Sequence, residues 1–497
     1  MRYKALASQL IEEIQARKWQ QGERLPSLRR FSALYDVSLT TAQNCYHALE
    51  EQGWLLAKPQ SGFYVSSPMQ DLSVPVAPQF TSTPRAFDEI DRQRYQEGPL
   101  GEAQQTNPYI SPPLGISRLS PRYFPQQAFQ RSIKRVHLRQ PELLTEYPEP
   151  AGSSPLRRVL AQHFEQYQLR LSPLEGVITG GCINAVKQAI EVTTQVGDRV
   201  AISSPSFNGL LQLLAALNRD IVEIPCTDQG IDLVQLEQHL KTGAVQAGLF
   251  STSHMNPQGT SLSDQQKQRL AELANRYRVP IIEDDVYMEI GFGQTMPRPA
   301  KYWDSQGYLL WCGSVSKTLA SGLRLGWCWP GRYLSAYSHH NNASSYGHNT
   351  LMQAALADFI VTGQYQKHLQ KVRHRLFANI CAYRAYLMRY LPPGTAISQP
   401  TGGMVLWVQV PGLDGDRFEQ AIQASGLGVR LGKVFTTLDW YRDCFRVNVG
   451  WGLDDVVTEG VTIETCLEQL VSLVQQSVLS LHKQQSDRAT QSRASKS

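Results

Sequence analysis

Lys317 follows the apolar stretch Tyr308 to Cys312 in the run GSVSKTLASGLRLGW, residues 313–327. A lysine at a strand end, with serines one and three residues before it and an arginine seven after, suits an aldehyde-bearing phosphate cofactor. Lys317 would form the Schiff base, and Ser314, Ser316 and Arg324 would hold the phosphate. A lysine among serines is also an ordinary surface pattern, so its companions decide. Upstream, in IIEDDVY, an apolar strand runs into carboxylates. A buried Asp284 can salt-bridge a protonated pyridine nitrogen and keep the ring an electron sink, and Tyr287 can hydrogen-bond the phenolic oxygen. An Asp pair at a strand end also serves as a helix N-cap.

In SHMNPQGT, Asn256 could share that oxygen with Tyr287, with Pro257 to Gly259 forming the turn that aims it. In ITGGCINAV a strand meets glycines and then a helix, so the N–H groups of Gly181, Cys182 and Ile183 can cradle phosphate at the helix start. Phe207, in SPSFNG, is placed to stack on a cofactor ring; a core Phe has the same spacing. Arg446, on the apolar strand CFRVNVGW, needs an anion, either a substrate α-carboxylate or a structural partner. His339, His340 and His348 fall in a polar Asn/Ser/His segment read as a loop. Their spacing is irregular, no carboxylate or Cys joins them, and no metal site is expected.

These residues need a scaffold. Strands are expected at Gly176–Thr179, Arg199–Ser203, Ala247–Ser251, Pro280–Glu283 and Leu309–Cys312, alternating with helices, which is α/β with a mostly parallel sheet over 106–385. A smaller α+β unit covers 386–481, with its first strand in Gly402–Val410, and a polar tail at 482–497 reads as disordered. Residues 68–105, rich in Pro, Ser and Thr, read as a semi-extended linker. Ahead of it, residues 1–67 pattern as helix, helix, turn, helix and β-ribbon, the order of an α+β winged helix-turn-helix. Leu6, Leu10 and Ile14 mark the first helix, Ser27 caps the second, and Ala42, Tyr46 and Leu49 line the buried side of the third.

With 497 residues, 42% hydrophobic and 18% charged, the chain can bury more than one core, and its net charge of +5 permits an anionic partner without requiring one. Eight scattered cysteines without a CxxC pair point to free thiols in a reducing cytoplasm, and no apolar run reaches membrane-spanning length.

The segment GERLPSLRRFSALYDVSLTTAQNCYHALEEQGWLLAKPQSGFYV resembles the GntR family of winged-helix regulators over residues 3–67. Ser38, Thr40, Thr41 and Gln43 stand at the start of the recognition helix, where hydroxyls and N–H groups meet phosphates and Gln reaches base edges. Arg29 and Arg30 can clamp the backbone, or simply form a solvated helix face; Gly62 lets the wing approach the minor groove. Leu39 stands where family members often carry Arg. Residues 106–480 resemble fold-type I aminotransferases, with Cys182-Ile183 where that family usually has Ser or Ala followed by Gln. EYPEPAGSSPLR resembles the family segment in which Tyr147 reaches the phosphate of the other subunit.

Together the two halves resemble the MocR subfamily of GntR regulators. That resemblance implies pyridoxal 5'-phosphate as cofactor and double-stranded operator DNA as partner. It also implies an amino-acid, amine or vitamer effector, and a homodimer with the head of one chain near the large domain of the other. A working aminotransferase with an appended head, and a regulator whose cofactor site is only structural, remain as alternatives.

Overall fold

The computed structural model describes residues 2–15, 18–19, 23–51, 54–58, 62–65, 74–85, 113–293 and 296–494. The chain forms two compact units, the first ending at Ser73 and the second beginning at Val74.

In the head, three helices, α1 (Arg2–Gln15), α2 (Leu28–Leu34) and α3 (Leu39–Glu51), precede a hairpin of β1 (Leu55–Lys58) and β2 (Gly62–Val65). The apolar spacing makes one core. Leu10, Phe31, Ala42, Tyr46 and Leu49 are all sealed from solvent, and the Tyr46 hydroxyl donates to the Pro26 carbonyl at 2.9 Å. Ser27 caps α2 through the Arg30 N–H, and Ser38 caps α3 through the Thr41 N–H at 3.1 Å. A third edge went unanticipated: Glu23 to Leu25 pair with β2, through Leu25 N–H to Phe63 O and Val65 N–H to Glu23 O. Residues 59–61 of the wing lie outside the described residues.

The body is built on an eight-stranded sheet. β3 (Val177–Thr179), β4 (Arg199–Ser204), β5 (Asp220–Thr227), β6 (Gly230–Ile231), β7 (Ala247–Phe250), β8 (Ile281–Asp284), β9 (Leu309–Ser314) and β10 (Gly326–Trp329) lie in the order β3-β10-β9-β8-β7-β4-β5-β6. The middle run from β9 to β5 is parallel; β10 is antiparallel to both β3 and β9. The strand reading holds to within two residues at each end, and β5, β6 and β10 are additional. Both faces are covered, so side chains alternate between two cores. Leu310 and Cys312 pack with Ala185, Val186 and Ala189 of the helix Cys182–Thr193. Trp311 faces the other way into Phe164, Trp327 and Trp329.

After the 27-residue helix Gln364–Tyr390 comes the smaller sheet. It comprises β11 (Ala396–Ile397), β12 (Val405–Gln409), β13 (Arg430–Leu431) and β14 (Cys444–Asn448), in the order β11-β12-β14-β13.

Three sequence expectations are corrected. His339 and His340 lie not in a loop but in the helix Leu334–Ser345, where His340 meets Glu191 at 2.9 Å. The polar tail is helical to Ala494: the segment Ile463–Ala494 holds good helix formers and no Gly or Pro to stop it. The linker is anchored over 74–85, while 66–73 and 86–112 lie outside the described residues. Val76 N–H donates to Gln409, Ser82 to Glu223 and Gln235, and Arg85 to the Thr437 carbonyl, and Phe80 stacks on Trp440 at 6.2 Å. All eight cysteines are free thiols. Among the described residues no helix is long and apolar enough to cross a membrane, and no His, Cys, Asp or Glu cluster could hold a metal ion.

The head's small core makes it the sensitive unit. Tyr46→Ala should cost about 3–5 kcal/mol, comparable with the whole stability of so small a domain. The expected outcome is protease-sensitive residues 1–65 on an intact body, read by limited proteolysis and mass spectrometry.

Candidate functional site

Parallel strands of an open α/β sheet deliver their loops to one edge, and the crevice beyond their carboxyl ends is where ligands bind. Here β8 ends on Asp284, β9 leads through Ser314 to Lys317, β7 leads to Asn256, and β3 leads through Gly180 and Gly181 into the helix Cys182–Thr193. Antiparallel β10 starts at the same edge, so Arg324 arrives there too. Arg446 comes from β14 of the smaller sheet.

Three adjacent carboxylates are buried at the end of β8, and their partners separate them. Glu283 accepts from the Thr252 hydroxyl and the N–H groups of Ala300 and Lys301; Asp285 accepts from Trp311 Nε1 at 3.0 Å. Asp284 caps no helix and has no basic group within ion-pair distance among the described residues. Its Oδ1 receives the Cys182 thiol at 3.1 Å. Burial raises its pKa, with the thiol opposing. A desolvated carboxylate held by a thiol and the Val286 N–H, with no ion pair of its own, is a seat for a cation such as a pyridinium N–H.

Lys317 is sunk in the same crevice, its Nζ donating to the Ser117 carbonyl at 2.5 Å. Burial, reinforced by Arg446, lowers its pKa to about 8 despite Asp284 nearby. A useful fraction is therefore neutral, nucleophilic amine near neutral pH. Tyr287 is buried too, and burial lifts its hydroxyl to about 12, so it stays a proton donor.

The anion cradle is made by close approach. Gly181 has φ +101°, and a Cβ there would lie 2.7 Å from Arg324 Nη2; a Cβ on Gly326 would lie 2.9 Å from the Cys182 nitrogen. Arg324 reaches across to the Gly180 carbonyl at 2.9 Å. The Ser316 N–H donates to Ser314 Oγ at 3.3 Å, while Ser316 Oγ is buried without a partner. Cys182 and Ile183 add first-turn N–H groups that have no acceptor within their helix. Orphan hydroxyl, free amides, arginine, buried amine and unneutralised carboxylate fit a phosphorylated pyridine aldehyde.

Arg446 is buried, donating from Nη1 to Asn256 Oδ1 at 3.1 Å and from Nη2 to the Gly115 carbonyl; its Nε has no partner. Burial lowers its pKa to about 10, and no carboxylate neutralises it. Because Asn256 Oδ1 is occupied, its amide N–H₂ is left for a phenolic oxygen.

Two predicted residues are not drawn in. Phe207 is half-buried at the edge of the core, its ring against Gly209, and Tyr147 is 90% exposed on the single chain. The sequence reading missed the Gly115 and Ser117 carbonyls. The signal was Gly115 itself, where a Cβ would fall 1.7 Å from the Gly428 oxygen. It also missed the side chain of Cys182, assigned only a backbone role.

On the head, Arg29, Arg30, Ser38, Thr40 and Gln43 are exposed and Thr41 is half-buried against Ser38. Leu39 is 49% exposed. Gly62 has φ +108°, and Arg24, not foreseen, lies against it, so the wing carries a cation.

The model of aminotransferase class I and II matches residues 120–461, and that of the gntR family of bacterial regulatory proteins matches residues 2–65. The HTH-type transcriptional regulator YdcR of Escherichia coli is 34% identical over 96% of this chain and 99% of its own length. Aromatic-amino-acid aminotransferase 1 of Thermococcus litoralis is 26% identical over 71% of this chain and 87% of its own. Among solved structures, the multiple substrate aminotransferase of Thermococcus profundus superposes with a TM-score of 0.68, covering 80% of this chain and 96% of that one at 24% identity, a likeness of fold.

The Lys317 environment sets a pH dependence. The neutral amine is the reacting form, so uptake of added pyridoxal phosphate into a protein-bound visible band should accelerate from pH 7 and level off above about 8 to 9. Stopped-flow absorbance reads this, with Lys317→Ala as the blank. A rate still climbing towards pH 10.5 would contradict the desolvated lysine.

Proposed function

We infer a regulatory role from family membership: this chain belongs to the class I and II aminotransferase family and carries a GntR-family helix-turn-helix head. From that membership we propose a cytoplasmic regulator that binds operator DNA and senses an amino acid, amine or vitamer through pyridoxal 5'-phosphate. The carrying observation is one crevice in which half-buried Lys317 and buried Asp284 and Arg446 make no ion pair among the described residues.

When bound, the cofactor supplies an aldehyde that captures primary amines and a ring that withdraws electrons. Lys317 holds it covalently. Asp284 would pair with the ring N–H, and Tyr287 and Asn256 would hold the phenolic oxygen. Gly181, Cys182, Ile183, Ser314, Ser316 and Arg324 take the phosphate, with Tyr147 supplied by the second subunit of a homodimer whose heads and bodies are exchanged. Arg446 takes the ligand carboxylate, giving up the Gly115 carbonyl. A ligand shifts operator affinity only by its differential affinity for the two arrangements of the body, typically 1–3 kcal/mol. The 1–67 head then reads DNA through Arg29, Arg30, Ser38, Thr40, Thr41, Gln43 and Gly62.

Completeness of the set Lys317, Asp284, Tyr287 and Arg446 favours a second reading, that the body also transaminates.

Fluorescence anisotropy on DNA flanking the chain's own gene separates them. Specific binding that shifts several-fold with cofactor or amine is expected. Arg29→Ala with Arg30→Ala should weaken it at least tenfold and flatten the salt slope by about two. Turnover at ~1–1000 s⁻¹, without specific DNA binding, would establish the enzyme instead.

A further inference from the structure

The crevice holds one cation more than the proposed occupants need. Strand register sets Trp407, Arg446 and Arg430 in a row across β12, β14 and β13, with Arg430 directly opposite Arg446. Directly opposed residues of an antiparallel pair share a face, with Cβ atoms about 4.5–5.5 Å apart. Both guanidinium-bearing stems therefore rise from the same side of the smaller sheet, the side on which Arg446 meets Asn256 and Phe435.

Arg430 is half-buried and has no carboxylate within 4.0 Å and no hydrogen-bond acceptor among the described residues. Burial alone holds its pKa below the usual arginine value. Its charged neighbour is another arginine, Arg446, whose charged form it disfavours. Among the described residues, the cations set around the crevice are Lys317, Arg324, Arg430 and Arg446, and the carboxylate with them is Asp284. With phosphate on Arg324, ring nitrogen on Asp284, Lys317 neutral when it reacts, and one carboxylate on Arg446, only Arg430 is unmatched.

We propose that Arg430 is a specificity-determining residue that binds a second acidic group on the ligand. The sensed molecule is then an acidic amino acid, of which four- and five-carbon dicarboxylates have the right span for two arginines on opposed strand positions. This deepens the ligand-sensing reading and rests on it. A forked guanidinium takes a carboxylate through two parallel N–H donors, which favours Arg over a point charge at such a place.

The test uses the full-length cofactor-loaded protein, following its visible band during titration with L-aspartate, L-glutamate, L-alanine and L-norvaline. Wild type should bind one of the acidic pair at least tenfold more tightly than the monocarboxylic pair. Arg430→Gln should reduce that ratio to near one while leaving norvaline within about twofold, and should not lower the melting temperature, because it removes an unpaired desolvated charge. Arg430→Lys, keeping the charge without the fork, should retain part of the ratio and guards against a folding defect in the first variant. A wild type that responds to amino acids without preferring acidic ones overturns the proposal and leaves the sensing reading standing. Equal loss of both classes in Arg430→Gln overturns it as well. A wild type whose band answers no amino acid overturns both.

Discussion

A carboxylate taken out of water must be answered by donors or by positive charge, and Asp284, which feels Lys317 in the same crevice, has no basic group within ion-pair distance among the described residues. The rest of the body is arranged around that deficit. Glu283 on one side accepts from a hydroxyl and two backbone N–H groups and Asp285 on the other from an indole, so the acidic strand end is held by donors of its own. The Cys182 thiol, itself held protonated by burial, steadies Asp284 without neutralising it. The sheet contributes by geometry: parallel β7, β8 and β9 all release their chains at one edge, and antiparallel β10 returns Arg324 to it. Charges that would be ruinous singly are left open towards a common space.

Where chemistry coincides with strand ends, the sequence was readable. Lys317, Asp284 and Asn256 each follow an apolar run that could only be a buried strand, and the structure brings them together. The head was legible for a similar reason, since α1 to α3 carry clean helical spacing and Ser27 and Ser38 cap as their residue types suggest. The failures also have physical causes. His339 and His340 sit in a segment of polar residues with weak apolar periodicity, so its helix is fixed by Tyr337 and Asn341 packing inward, which spacing cannot reveal. β10 reads GWCW, four residues without alternation because both of its faces are covered. A main-chain acceptor such as the Ser117 carbonyl leaves no trace in its own residue type, and Gly115 marks only a close approach of backbones.

The anchored stretch 74–85 joins matters that the sequence presented as separate. It is fastened to β5 through Glu223, to the helix Leu233–Lys241 through Gln235, to β12 through Gln409, and to the loop ahead of β14 through Thr437 and Trp440. Thr437 in turn donates to Glu223, and two residues earlier the Phe435 ring lies 5.4 Å from the Arg446 guanidinium. A change in the angle between the sheets must displace one anchor or the other. A composition-based linker is thus, over these twelve residues, part of the body's surface.

The Gly115 and Ser117 carbonyls occupy the two groups on which an incoming molecule would depend, Arg446 and Lys317. Both belong to one short segment, pinned by Leu114 and Pro113 to Asn448 and pressed against Gly428. Recognition is consequently an exchange of acceptors, in which a neutral backbone oxygen leaves as a charged one arrives. On the function proposed above, a ligand carboxylate would reach Arg446 only as this segment gives way, so ligand uptake would level off at high concentration instead of rising without limit.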